Sequence, residues 1–425
     1  MSARLPMLAL ALALSWMGAA QGLARDLHVT PDAAETAGDG SAQAPFATLD
    51  AALRKATGGD RIVLGDGAYG KIAIKGVRFD PPVRIEAEAP GGAHATGIFV
   101  RKSRGLHFAG LSVWPDGPHE DSITLVVVKG DSADIRLDSM DLRGSADAPD
   151  SYLDWTKEQW LSSLRANGAR LDGPDNAITN SRLTGVAFGI TTTGPRAMVT
   201  GNRIEGFSGD AMRGLGDGSV FAGNMAQNTF KVDRNHDDGF QSWATKKDAD
   251  GRKVVSDITI ENNIILEWTG PQKHPLRGKL QGLGLFDGEY RNFTIRNNLI
   301  AISAYHGIAL YNGSNSRIVN NTVVHISGGP ADFPWIGLFK TRDGAAETRV
   351  SNNVAMSYKG ISKATRRNAV TRYPARMFRD PAKLDFRLMP GSPLVDAGTS
   401  EEAPPTDIAG TPRGARPDLG AFELN

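Results

Sequence analysis

Four ionisable side chains crowd one short stretch of this 425-residue chain: Lys273, His274, Arg277 and Lys279, in the segment KHPLRGKLQG. Upstream, Asn235-His236-Asp237-Asp238-Gly239-Phe240-Gln241 brings an imidazole and two carboxylates together. Downstream, Tyr305-His306 and Tyr311 add a second imidazole and two phenols. Each type has its chemistry. Histidine exchanges protons near neutral pH. A lysine becomes a base when neighbouring cations, here Arg277 and Lys273, lower its pKa. Arginine and lysine hold carboxylates through charge-assisted bonds. Asp237 and Asp238, with Asp233 or Asp210, offer the hard oxygen ligands that Ca²⁺ prefers. A solvated charged loop and an Asx-rich turn would contain the same residue types, so what decides is which of them share a surface.

The elements that position them are short strands in a repeat. Asn202, Asn263, Asn298, Asn321 and Asn353 each open a short apolar stretch leading to a Gly-containing strand, and 22 residues separate Asn202 from Asn224. A period of this size in short β-branched runs predicts a β-solenoid, which stacks equivalent positions about 4.8 Å apart. Counting from each Asn gives columns. One runs Asp210, Asp238, Gln281, His306. A second runs Arg213, Gln241, Gly284, Ala309. A third runs Leu215, Trp243, Phe286, Tyr311. Side chains alternate across a strand, so Met212, Phe240, Leu283 and Ile308 are expected in the core. An insertion, Trp268–Lys279, enters just before Gln281 and is expected to rise as a wall beside the first column. Loops on a rigid scaffold are where function concentrates. A polar column, a flanking aromatic column and basic loops suit an extended sugar polymer: aromatic faces stack on sugar rings, and Arg and Lys meet uronate carboxylates.

Composition narrows the field. A formal net charge of +1 gives no electrostatic case for nucleic acid or an acidic membrane surface. The absence of cysteine excludes disulfides, thiolate metal sites and cysteine nucleophiles. One basic residue, Arg4, precedes an apolar run from Leu5 to about Met17 and then small residues, which predicts a signal peptide over 1–24 and a secreted or periplasmic protein. The run is short for a membrane span. Residues 25–380 are read as the solenoid with its N-terminal cap, and 381–425 as a Pro/Gly/Asp-rich tail packing on it. A helical insertion is expected over 150–167, with Thr156 as N-cap and Glu158 shortly after. A monomer is expected.

The ends of the chain carry a resemblance. Pro45-Phe46, Thr48-Leu49, Ala51-Ala52-Leu53, Gly59-Asp60, Ile62, Leu64 and Asp66-Gly67 follow the order seen in the N-terminal cap of secreted right-handed parallel β-helix proteins. Asp385-Phe386-Arg387-Leu388, Pro390-Gly391-Ser392-Pro393, Asp396-Ala397-Gly398, Asp407, Gly410, Arg413 and Asp418-Leu419-Gly420-Ala421-Phe422-Glu423 resemble their C-terminal tail. The chain looks like the pectate-lyase-like superfamily, most similar in its ends to alginate lyase and chondroitinase-type members. The resemblance implies an all-β fold, a single-stranded right-handed parallel β-helix with a capping helix and an irregular tail, and β-elimination on an acidic polysaccharide. That chemistry needs a group to neutralise the C6 carboxylate, a base for the C5 proton and an acid for the leaving O4. Arg277, Gln241 and Gln281 suit the first role, Lys279 or His306 the second, and Tyr305, Tyr311 or His306 the third. Asp210, Arg213, Asp238, Gln241, Trp243, His274, Gln281 and Tyr305 are expected to contact the sugar chain. Hydrolysis by Asp210, Asp237 and Asp238, C5-epimerisation and non-catalytic carbohydrate binding remain open alternatives.

Overall fold

Each coil of the chain makes three short strands, and successive coils stack them in parallel into sheets of 12, 11 and 12 strands. The result is a right-handed parallel β-helix. The computed structural model describes residues 24–31, 33, 38–119, 122–341, 345–361 and 367–424. The expected signal peptide, apart from Ala24, lies outside the described residues. No helix among them is long and apolar enough to cross a membrane.

The Asn repeat explains the corner between the first and third sheets. The residue before each repeat Asn has a positive φ: Gly201 (68°), Gly223 (66°), Asn262 (56°), Asn297 (54°), Asn320 (55°) and Asn352 (58°). Glycine and asparagine adopt this left-handed conformation at least cost, which accounts for the paired asparagines. The Asn that follows is buried and bonds to its counterpart on the next coil. Asn224 Oδ1 accepts from the backbone N–H and the Nδ2 of Asn202, both at 3.0 Å. The same pair of bonds recurs from Asn298 to Asn321 at 3.0 and 2.9 Å, and the ladder ends on Asn368. Each amide also donates to a backbone carbonyl, as Asn224 Nδ2 does to Val199 O at 2.8 Å. Buried polar groups are thereby satisfied.

The helix Leu49–Lys55 covers the N-terminal end. Thr48 caps it, its hydroxyl accepting from the Ala51 N–H at 3.2 Å. Leu49, Ala52 and Leu53 turn inward, while Phe46 is buried ahead of the helix, bridging to Val29. At the other end Phe378, Phe386, Leu388, Leu394 and Leu419 pack on Leu266, Leu299, Val324 and Val354. The insertion forms two short helices, Ala148–Ser151 and Lys157–Leu161. Thr156 caps the second, but Gln159, not Glu158, closes the capping box. Tyr152, Trp155 and Trp160 from this insertion pack against Phe230, Val232 and Trp268. This aromatic cluster supports the loop that enters before Gln281.

Candidate active site

The 11-stranded sheet carries the expected columns. Met212, Phe240, Leu283 and Ile308 are in register and buried. Arg213, Gln241, Gly284 and Ala309 form the second column, each one residue beyond the core row and so on the opposite face of the strand. The first column is assembled by contact as well as register. Asp210 Oδ1 accepts from the Asp238 N–H at 3.1 Å, Asp238 is paired with Gln281, and Gln281 Oε1 lies 2.9 Å from His306 Nδ1. A small residue after each polar one makes this possible: Ala211 after Asp210, and glycine after Asp238, Gln281 and His306. A Cβ on Gly239 would lie 2.6 Å from Ile265, on Gly282 2.9 Å from Ile300, and on Gly307 2.2 Å from Val323. Two successive residues therefore face the core, and the polar residue before them is turned out of it, still buried at Asp210 and Asp238 and half-buried at Gln281 and His306. The third column needs correction. The register slips after Ser242, so Trp243 pairs with Asp287 rather than Phe286. Phe286, Tyr311 and Phe339 continue without it, with ring centroids 5.6 and 4.8 Å apart.

A cleft of about 630 Å³ opens beside the first column. Lys231, His236, Arg277 and Lys279 line it together with Ala304, Tyr305 and Phe333, and Gln281 and Asp237 are also at its surface. Among the expected site residues, Lys279, Arg277, Gln281 and Tyr305 thus share one surface. Tyr305 is 54% exposed, ready to stack on a ligand. The loop carrying the two cations is fixed at its base. Glu267, 1% exposed, accepts from Arg277 Nη2 (3.2 Å), the Leu280 N–H (3.2 Å), and both the N–H and Oγ of Ser303 (2.7 Å each). Gly278 N–H adds a bond to Thr229 O at 2.9 Å.

Three carboxyls lie under and beside the cleft. Burial pushes the Asp237 carboxyl up to about 7, against the pull of Lys231 and of hydrogen bonds from Asn235 and Thr229. Burial also raises Asp210, which is held by an ion pair to Arg213 at 2.6 Å. Asp238 is raised well above the carboxylate range, first by burial and then by Asp210 and Asp237. It is fully buried, and neither oxygen has a hydrogen-bond partner. Gly284 makes room for it: a Cβ there would lie 2.8 Å from Asp238 Oδ1. Two orphaned oxygens suit a hard cation such as Ca²⁺. However, Arg213 already occupies Asp210, and among the described residues no three His, Cys, Asp or Glu side chains form a group able to hold a metal ion.

Several expected residues lie elsewhere. His274 is not in the cleft. Its Nε2 bonds Leu153 O at 2.7 Å, its Nδ1 accepts from the Leu276 N–H at 3.1 Å, and its ring packs on Phe230 and Trp268. Pro275 and the aromatic cluster turn the loop there, so the imidazole props the loop from behind. Tyr311 stands in the aromatic row between Phe286 and Phe339, with Lys340 over its ring at 5.5 Å, one column beyond the cleft. Arg213 stacks on Phe188 at 3.7 Å while paired to Asp210. Gln241 is half-buried in the second column. Half-buried His306 sits among Phe286, Tyr305 and Trp335, and burial lowers it to about 4, with His236 contributing. It is therefore neutral at ordinary pH and a poor proton acceptor. Lys231, Phe333 and Glu267 were not anticipated. Lys231 and Phe333 reach the cleft from other coils, and only Glu267, an acid amid an apolar run, left a signal in the sequence.

Comparison with known proteins agrees with the architecture. The profile of the right handed beta helix region family matches residues 160–323. No curated protein matches the chain. Among solved structures the chain is similar to pectate lyase Pel9A, with a TM-score of 0.50, 18% identity, and coverage of 94% of this chain and 96% of that one. It is also similar to a rhamnogalacturonan lyase (TM-score 0.47, 14% identity, 82% and 85% covered). A third is an alginate lyase from Paenibacillus sp. str. FPU-7 (TM-score 0.43, 14% identity, 79% and 98% covered). At these identities the likeness is one of fold.

Proposed function

We propose that this right-handed parallel β-helix is a polysaccharide lyase that cleaves a uronate-containing polymer by β-elimination, outside the cytoplasm. The observation that carries the reading is the cleft itself. Its lining combines three cations, Lys231, Arg277 and Lys279, with the apolar surface of Ala304, Tyr305 and Phe333. A uronate has a carboxylate for the first and an apolar ring face for the second. Lys231 and Arg277 draw charge from the C6 carboxylate as it becomes enolate-like, which makes C5–H acidic. Lys279 takes that proton as general base, favoured over His306, whose imidazole is buried and weakly basic. Asp237, protonated up to about pH 7, donates to the leaving O4. The C4–O4 bond breaks as the C4=C5 double bond forms, and the proton count balances. Gln281 orients the ring by hydrogen bonds.

A specific observation keeps hydrolysis as the rival: the raised, clustered carboxyls of Asp210, Asp237 and Asp238 resemble the pairs glycosidases use. The test is incubation with alginate, pectate and glucuronan, following ultraviolet absorbance of the unsaturated product and new reducing ends together. Both should rise in step on at least one polymer. Reducing ends without absorbance would replace elimination with hydrolysis.

A further inference from the structure

The outer face of the 11-stranded sheet continues well beyond the cleft toward the N-terminus. There Lys75 is in register with Arg101, and Lys129 follows on the next coil, its N–H bonded to Val100 O at 2.9 Å. Lys71 is exposed on the same strand as Lys75. Coils are about 4.8 Å apart, so these charges stand one above another at close range. Like charges directly opposite on neighbouring strands are destabilising.

Elsewhere on the rod such arginines are matched. Arg61 is paired with Asp26 and Glu86, Arg196 with Asp175, and Arg296 with Glu261. Among the described residues, Lys71, Lys75, Arg101 and Lys129 show no ion pair. Asp131 feels Arg101, but one of its oxygens accepts the Lys102 N–H at 2.8 Å. Lys129 lies over Phe99 at 5.8 Å, a contact with an aromatic face rather than with an acid. Arg170, nearer the cleft, is tied to Asp172 at 2.8 Å. Asp172 follows Lys129 in the same column, its N–H bonded to Val128 O at 2.8 Å, but its carboxylate is held by Arg170 and by the Thr193 hydroxyl at 2.8 Å each. The repeat has therefore stacked three cations that make no ion pair among the described residues.

We propose that the row Lys75–Arg101–Lys129, with Lys71 beside it, is an anchoring site for the anionic polymer whose cleavage occurs at the Lys279 cleft. The proposal rests on the uronate reading, because it gives that polymer a second point of attachment. The row and the cleft share one sheet face. About seven strand spacings along the rod separate the strand of Lys75 from that of Gln281, roughly 34 Å. A chain lying along the rod would bridge them, and its carboxylates would recur opposite the stacked cations. Tethering raises the local concentration of polymer at the cleft without a new contact there.

The test uses the triple variant Lys75→Ser, Arg101→Ser, Lys129→Ser. All three positions are exposed or half-exposed, so folding is checked by an unchanged circular dichroism melt. Affinity electrophoresis through gels containing polygalacturonate or alginate reads binding independently of turnover. The variant should bind about tenfold more weakly at low salt, and the difference should vanish at high salt. On an active polymer KM should rise with kcat unchanged, while a uronate oligosaccharide too short to span both places should show no change. Equal retardation of variant and parent would overturn the anchoring row whether or not the lyase assay succeeds. Equal loss on short and long substrates would overturn it too. Loss of binding to DNA but not to polyuronate would show that the row serves another polyanion.

Discussion

One column of the helix is basic in its first coils and aromatic in its last. Lys75, Arg101 and Lys129 occupy it near the N-terminus, and Phe286, Tyr311 and Phe339 occupy it beyond the cleft. Stacking at strand spacing acts on the two chemistries in opposite ways. Aromatic rings gain from being stacked, by area and by ring–ring contact, so the aromatic segment is satisfied within the protein. Cations lose from it, so the basic segment is complete only with an external anion. The same repeat thus makes one region that stabilises the rod and another that is poised to bind.

That contrast can be broken or sharpened by substitution. The largest effect is expected at the cleft. Lys279→Ala should lower kcat by roughly 10²–10⁴-fold while polyuronate retardation in gels persists, because the basic row is intact. If retardation disappears with it, anchoring and catalysis are one site. Asp237→Asn should cost about 10²-fold in turnover. It should also change the pH dependence of stability. The folded state holds the Asp237 proton up to about pH 7, against 3.8 for a free carboxyl. Its contribution is therefore complete below the lower value and is lost as pH rises through the upper one. Melting curves from pH 4 to 8 should show that decline in the parent and a flatter profile in the variant.

Asn298→Ala cuts the amide ladder and orphans buried partners, which should cost about 2–4 kcal/mol and lower the melting temperature. An unchanged melt would mean that the ladder adds little beyond strand pairing. The smallest effect separates the two halves of the column. Tyr311→Ala should destabilise by about 1–3 kcal/mol through lost ring contacts and area, with KM for the polymer nearly unchanged. A large rise in KM would return Tyr311 to the substrate path.

How much of this was legible in the sequence follows from what repeats. The Asn positions recur because one corner geometry recurs, so Asn202, Asn263, Asn298, Asn321 and Asn353 could be used as rulers, and the columns at Asp238, Gln281 and His306 fell into register. The slip at Trp243 was not visible, because a bulge changes the count without changing residue types. The fate of His274 was hidden for a related reason. Spacing put it on the inserted loop with Arg277 and Lys279, but the path of that loop is set by Phe230, Trp268 and the helical insertion, which are distant in sequence. Lys231 and Phe333 escaped notice because each belongs to a different insertion, and no period links them. The resemblance of the two ends carried fold, and the burial that weakens the His306 imidazole was not legible in its spacing.

The amide ladder also gives the rod an electrical direction. Every side chain in it points the same way, each Nδ2 donating toward the Oδ1 of the following coil, from Asn202 through Asn353 to Asn368. Aligned amide dipoles add, as peptide dipoles do along an α-helix, and each bond polarises its neighbours. The partial negative end faces Ser181, whose N–H is held by Asn202 Oδ1 at 3.0 Å, and the partial positive end faces the C-terminal coils. Replacing one asparagine midway would divide one long dipole into two shorter ones, so its effect would reach coils that the missing side chain never touched.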